Sequence, residues 1–216
     1  RDGRHVGTRP IAELSERELV QMMIGRPLAE YVPRPEGLVI GDEVLRVQGL
    51  SSPGKFDEIS FSLRSGEVLG IAGLVGAGRS ELAQAIFGLD PVRRGEIRLS
   101  GRPVRVDTPA SAIAQGIGLV PEDRKRQGIV PQESAVHNLS LAILPRLSRF
   151  GWLRRQEERA LATDFFGRLR VRTPSPDAVV PGLSGGNQQK IVLARWLAAR
   201  SRVLILDEPT RGVDVG

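Results

Sequence analysis

Two short segments, separated by one apolar helix, constrain the fold of this chain more than anything else in it. Leu183-Ser184-Gly185-Gly186-Asn187-Gln188-Gln189-Lys190 reads as a turn opening a helix. Val203-Leu204-Ile205-Leu206-Asp207-Glu208-Pro209-Thr210 reads as an apolar strand that ends on two carboxylates. A Ser-Gly-Gly turn at a helix start offers a hydroxyl, several free backbone N–H groups and a positive dipole end to an anion. Carboxylates at the end of an apolar strand sit at a sheet's carboxyl edge, where ligands bind in open α/β folds. One segment is suited to gripping a phosphate, the other to holding Mg²⁺ and orienting a water.

A third segment belongs with these two. Gly73-Leu74-Val75-Gly76-Ala77-Gly78-Arg79-Ser80 follows the apolar run Val68-Leu69-Gly70-Ile71-Ala72, which is suited to a buried strand, and opens a helix over Ser80–Gly88. It fits the P-loop pattern, except that Arg79 stands where Lys belongs. The glycines let backbone N–H groups turn inward around phosphates, and Ser80 can place its hydroxyl on Mg²⁺. Alone, a Gly-rich strand–helix turn is weak evidence. Paired with Asp207 and Glu208 on a later apolar strand, it is more than a tight turn.

Composition removes several function classes. There is no Cys among the 216 residues, so neither a disulfide framework nor a Cys-based metal site is possible. No apolar run approaches the roughly 20 residues that span a bilayer, and Arg1-Asp2-Gly3-Arg4 lacks an apolar signal segment. The formal charge of +6 permits an anionic partner, but the basic residues are scattered and aromatics are only 4%, which leaves little for a base-stacking platform. Nucleic acid is not expected as a partner.

Along the chain, residues 1–36 look separate from the rest. Ser15-Glu16-Arg17-Glu18 reads as a capping box, Leu14 and Leu19 as a hydrophobic staple, and Leu19, Met22 and Met23 as one apolar face. Pro27, Pro33 and Pro35 are expected to stop that helix and stiffen a linker. From Val39 the signals are α/β. Strands are expected at Val44–Val47, Ile59–Leu63, Glu96–Leu99, Ile117–Val120 and Val203–Leu206, with a turn at Gly101-Arg102-Pro103. Residues 134–172 read as mainly helical, with Leu161, Phe165, Phe166 and Leu169 as core contacts, and Ser184 caps the helix that follows.

Arg79 keeps the charge of a P-loop Lys but is longer, planar and forked, so it cannot copy the geometry of a point charge folded over the phosphates. Slow or absent hydrolysis at this loop is the expectation. Glu122, in Pro121-Glu122-Asp123-Arg124-Lys125, could meet a metal but cannot donate a hydrogen bond when ionised. His137 lies in an apolar-periodic helix with no companion ligands at metal spacing and reads as structural.

Together these motifs resemble the ABC transporter ATPases, and specifically the ATP-binding subunits of bacterial carbohydrate importers of the ribose, galactose and xylose type. Gly76-Ala77-Gly78-Arg79, Pro121-Glu122-Asp123-Arg124-Lys125, Gly185-Gly186-Asn187-Gln188-Gln189-Lys190 and Arg211-Gly212-Val213-Asp214 carry the resemblance. It implies an α/β P-loop NTPase fold with a RecA-like core, an antiparallel β subdomain and a helical signature subdomain. It implies residues 1–36 as the tail and linker of a preceding ATPase domain, and 37–216 as an incomplete ATP-binding domain. Within that domain the core would be 37–120 and 200–216, and the helical subdomain about 125–185. The chain would be a piece of a longer polypeptide, truncated at the C-terminus inside its D-loop, with little ATPase activity of its own and apolar sheet surface exposed.

The resemblance further implies ATP and Mg²⁺ as ligands. Gly73, Gly76, Ala77, Gly78, Arg79, Ser80 and Glu81 would form the P-loop, Ser80 and Asp207 would hold the metal, and Glu208 would be the catalytic carboxylate. Ser184, Gly185, Gly186 and Asn187 would act in trans on a nucleotide held by a second ATPase domain, from the same longer chain or a second copy. Asp214 would lie in the D-loop, and Glu122 at the position usually held by a Gln that relays nucleotide state. Permease subunits and, indirectly, a periplasmic sugar-binding protein would be partners, at the cytoplasmic face of the inner membrane. Two other readings are a regulatory nucleotide-binding module without hydrolysis and a chromosome-maintenance or DNA-repair ATPase. The short spacing from Ser80 to Ser184 leaves no room for the coiled coil that the latter needs.

Overall fold

A computed structural model describes residues 5–25, 37 and 39–211. The chain divides into two units, 1–39 with 214–216, and 40–213. In the first, Ser15 caps helix α1 (Glu16–Ile24): its hydroxyl accepts from the Glu18 N–H while the Glu18 carboxylate accepts from the Ser15 backbone, a complete capping box. The hydroxyl of Ser15, then its N–H, hold the Glu18 carboxyl below the usual carboxylate range. The helix ends at Gly25 in the left-handed region (φ 91°), two residues before the first of the prolines expected to stop it. Pro27, Pro33 and Pro35 lie outside the described residues. The expected apolar face is not buried, since Leu19 is 42% and Met23 67% exposed.

The larger unit begins with an antiparallel sheet. Strands β1 (Glu43–Ser52) and β2 (Phe56–Arg64) form a hairpin, and β3 (Arg94–Leu99) and β4 (Arg102–Val104) complete the order β2-β1-β3-β4. Alternation sends Leu45, Val47, Ile97 and Leu99 to the core, while Arg46 and Arg98, which face each other across the β1–β3 pair, each hold a nearby glutamate. The turn after β3 lies at Ser100-Gly101, both with positive φ, rather than at Gly101-Arg102-Pro103. Pro103 pairs opposite Arg98 on the edge strand, where a missing N–H is tolerated.

Helix α2 (Arg79–Ile86) follows the Gly-rich loop and buries Leu82, Ala83, Ala85 and Ile86. Helix α3 (Pro109–Ala114), with a second capping box at Thr108 and Ser111, leads into β5 (Ile117–Val120), which is buried throughout. The helical region comprises α4 (Ala135–Ser140), the short α5 (Leu144–Leu147), a small hairpin of β6 (Ser148–Arg149) and β7 (Trp152–Leu153), α6 (Arg155–Arg168) and α7 (Gly185–Ala198). Strand β8 (Val203–Leu206) then pairs in parallel with β5, Ile117 opposite Val203 and Val120 opposite Leu206. Helices α4, α6 and α7 pack on one another around Leu139, Ala162, Phe166 and Ile191. An edge-to-face contact between Phe87 and Trp196, 5.5 Å between centroids, ties the end of α2 to α7.

Val68–Ala72 departs from expectation. It is not a buried strand: it has no ladder partner among the described residues, and Val68 is 92% and Ile71 49% exposed. An apolar run becomes a central strand only when neighbours satisfy its N–H and C=O groups and layers cover both faces. The parallel pair β5–β8 supplies neither to this segment.

Candidate functional site

The Gly-rich loop enters α2 through Gly76 and Gly78, both at φ 84°. At Gly78 a Cβ would stand 2.5 Å from the carbonyl oxygen of Lys55, so the loop and the Ser52–Asp57 turn of the first hairpin approach closer than any side chain permits. That turn lines an open cleft of about 460 Å³. Within the loop, the Ala77 N–H donates to the Leu74 carbonyl (3.1 Å). Gly73, Gly76 and Ala77 are exposed, Gly78 is buried, and Arg79, Ser80 and Glu81 are half-buried on the first turn of α2.

The parallel β5–β8 pair brings two distant stretches to the same edge. The Asp207 N–H continues the ladder onto the Val120 carbonyl (2.9 Å), which aligns Glu122 with Asp207 and Glu208 at the strands' carboxyl ends. From there Glu208 reaches Arg79 (Nη2–Oε1 3.2 Å), and the Ser80 hydroxyl donates to Glu122 (3.5 Å). Four of the residues expected to form one site are therefore joined in two pairs, Arg79 with Glu208 across a sequence separation of 129 and Ser80 with Glu122 across 42. Asp207 is half-buried and makes no side-chain hydrogen bond or ion pair among the described residues.

Glu208 itself adopts φ 42°, unusual for a residue with a Cβ. The next residues fold back: the Arg211 N–H donates to the Glu208 carbonyl (3.0 Å), with Pro209 preset for the turn. Arg211 then forms an ion pair with Glu122, and the buried Arg124 donates to the Arg211 carbonyl (2.7 Å). In the sequence, Arg211 and Arg124 stand out only as members of two separate motifs. The Pro after Glu208 was the one local signal for their meeting. Arg124 opens a single π-type turn, Arg124–Gly128, capped by Asp123, whose carboxylate accepts from the Lys125 and Arg126 N–H groups.

The Ser-Gly-Gly segment is positioned separately, by α7. Ser184 occupies the N-cap position with extended backbone (φ −60°, ψ 154°), but its hydroxyl caps no backbone N–H. It accepts instead from the Asn187 amide (2.8 Å), whose oxygen in turn takes the Arg172 N–H (2.7 Å). The first-turn N–H groups of α7 are thus not taken up by the Ser184 side chain. Ser184 is exposed and Gly185, Gly186 and Asn187 are half-buried. Beneath them the buried Gln188 amide donates to the Leu183 (3.0 Å) and Val180 (3.3 Å) carbonyls, pinning the chain that enters the turn. Farther along α7, buried Arg195 donates to the Asn138 carbonyl (2.7 Å), and burial pushes its guanidinium down to about 10. Asn138, fully buried, holds both the N–H and carbonyl of Val130. Sequence periodicity gave no sign of either residue, because polar side chains on an apolar helix face look like interruptions until their partners are known.

His137 contacts Glu133 (2.7 Å) and lies 4.0 Å from the buried Glu158, which accepts from Ser140. No group of three or more His, Asp or Glu side chains is gathered for a metal among the described residues. Ser80 and Asp207 fit the alternative way of holding Mg²⁺, in which one or two protein oxygens share the ion with substrate phosphates. Asp214 lies outside the described residues.

A Gly-lined loop opening a helix, carboxylates at the ends of a parallel strand pair and a Ser-Gly-Gly helix start define a nucleotide-binding cassette, and the family model for ABC transporters matches residues 56–211. The chain belongs to the ABC transporter family. It is 51% identical over all its 216 residues to ribose import ATP-binding protein RbsA 3 of Rubrobacter xylanophilus and 47% identical to ribose import ATP-binding protein RbsA of Geobacillus kaustophilus. It is 48% identical to a putative ribose/galactose/methyl galactoside import ATP-binding protein of Agrobacterium fabrum. The chain spans under half of these relatives, 43%, 44% and 43% of their length respectively. The dimeric bacterial ABC transporter cassette MJ0796 superposes with a TM-score of 0.64 at 23% identity, covering 79% of this chain and 76% of that one. CbiO1 of Clostridium perfringens gives 0.63 at 25%, over 80% and 68%. No described helix is long and apolar enough to cross a membrane.

Proposed function

We propose that this chain is part of the ATP-binding component of a carbohydrate importer, in which ATP binding and hydrolysis drive sugar uptake. The observation that carries the nucleotide site is the meeting of Arg79 and Ser80 on the first turn of α2 with Glu208 and Glu122 at the strand ends. On this reading Gly73–Ser80 and Glu81 cradle the phosphates of ATP, Ser80 and Asp207 hold Mg²⁺, and Glu208 faces the site of water attack. The ion neutralises charge on the phosphates when bound, and the protein supplies positioned groups rather than covalent chemistry. The names of the relatives, ribose import ATP-binding proteins, support the sugar-uptake assignment.

The same reading divides labour between two sites. Ser184, Gly185, Gly186 and Asn187 serve a nucleotide held by a second ATPase domain, while the loop containing Arg79 forms a weaker site. The open hydroxyl and helix start at Ser184 suit an anion arriving from outside the chain. Permease subunits at the cytoplasmic face of the inner membrane, and indirectly a periplasmic sugar-binding protein, complete the assembly. Arg79 in place of the P-loop Lys, with its guanidinium engaged by Glu208, supports slow or absent hydrolysis at this chain's own loop.

The test is transport-coupled ATP turnover in the assembled importer. Ser184→Arg is expected to reduce it far more than Arg79→Ala. Equal losses would count against the asymmetric division. Failure of the chain to co-purify with a permease would count against the importer assignment.

A further inference from the structure

Arg79 crosses its own phosphate-binding loop. Its stem packs over Gly73, with Cδ 3.5 Å from where a Cβ on that glycine would stand, and its guanidinium ends on the Glu208 carboxylate (3.2 Å). A loop built to surround an anion is thus spanned by a cation whose partner is already an anion of the same chain. A Lys at this position would present one compact ammonium, whereas the longer, planar guanidinium of Arg can stay folded over the loop and still reach a carboxylate at the far strand end. Glu208 is set for this by its left-handed backbone (φ 42°) and by the turn closed from Arg211 N–H to Glu208 carbonyl. Alongside, Glu122 takes the Ser80 hydroxyl (3.5 Å) and is itself paired with Arg211.

We infer that Glu208 is an internal competitor for Arg79: its carboxylate stands in for a nucleotide phosphate, so that nucleotide enters this loop by exchanging one ion pair for another, and Glu208 sets the affinity of the site. This rests on the nucleotide-binding reading above and adds how that site is regulated. The magnitude follows from exposure. The two side chains are 31% and 43% exposed, and an ion pair at that depth is worth a modest amount, so its removal changes a dissociation constant by roughly twofold to fivefold.

The experiment measures equilibrium binding of a fluorescent ADP analogue with Mg²⁺ to the chain. ADP is chosen because it needs no second domain to close on a γ-phosphate. Glu208→Gln is expected to tighten binding about threefold. In an Arg79→Ala background the same substitution is expected to leave affinity unchanged, because the competition has been removed. Glu208→Ala provides a second variant that removes the charge without adding an amide donor, and far-UV circular dichroism confirms that each variant is folded. Equal tightening with and without Arg79, or no tightening in either background, overturns the inference while leaving nucleotide binding intact. Absence of ADP binding by every variant overturns the nucleotide-binding reading itself, and the competition with it.

Discussion

The segment entering the P-loop and the helix carrying the Ser-Gly-Gly turn are both apolar, yet they meet opposite fates. Val68–Val75 runs along the surface, with Val75 97% and Leu74 84% exposed. Helix α7 buries Ile191, Val192, Ala194 and Trp196, and its first turn is fixed by Asn187 and Gln188. The difference lies in where each finds its hydrogen-bond partners. A helix satisfies its backbone from within and needs only a packed face, which α4 and α6 supply. A strand depends on a neighbour, and none lies beside this one among the described residues. The signature end of the molecule is therefore held by dense packing, and the P-loop by glycine geometry and a few ion pairs.

That contrast can be broken by substitution. The largest effect is expected at Ile191, fully buried beneath the α7 turn, where Ile191→Ala should cost about 3 kcal/mol in chemical unfolding. A cost under about 1 kcal/mol would mean that α7 is not the anchor described. Next comes Gly78→Ala, which puts a Cβ against the Lys55 carbonyl in a left-handed backbone and should cost about 2 kcal/mol. A neutral result would show that the loop and the first hairpin separate easily. Val68→Ser, at a position 92% exposed, should change stability by no more than about 0.5 kcal/mol. A loss of several times that would show Val68 packed as a strand and erase the difference between the two regions. The smallest expected effect concerns pH. The Glu18 carboxyl is held low in the folded state by Ser15, so its contribution is present above the unfolded value and lost as pH falls through the folded one. In Ser15→Ala the Glu18 titration followed by NMR should move up toward its ordinary range, and an unmoved curve would remove the capping box as its cause.

Much of the fold was legible because its signals are local. The capping box at Ser15, the alternation of β1, β2 and β3 and the glycine entry to α2 each depend on a few adjacent residues and a fixed period. The turn after β3 was misplaced because Gly-Arg-Pro reads as a turn until a paired edge strand is seen to tolerate the proline. Ser184 stands at the N-cap as its sequence position indicates, but that its hydroxyl takes the Asn187 amide rather than a backbone N–H depends on another side chain and is not legible in the pattern.

The residue types of the proposed nucleotide site were determined by sequence alone: glycines where the backbone must turn left-handed, a hydroxyl on the first helical turn, and carboxylates at the end of an apolar run. Those follow from what each side chain can physically do. Which of them touch was decided only by tertiary structure. The parallel register of β5 and β8 sets Glu122 beside Glu208, and packing of α2 carries Arg79 to within an ion pair of a residue 129 positions away. Long charged side chains choose partners by proximity after folding, and proximity across that distance is a property of the sheet rather than of any segment within it.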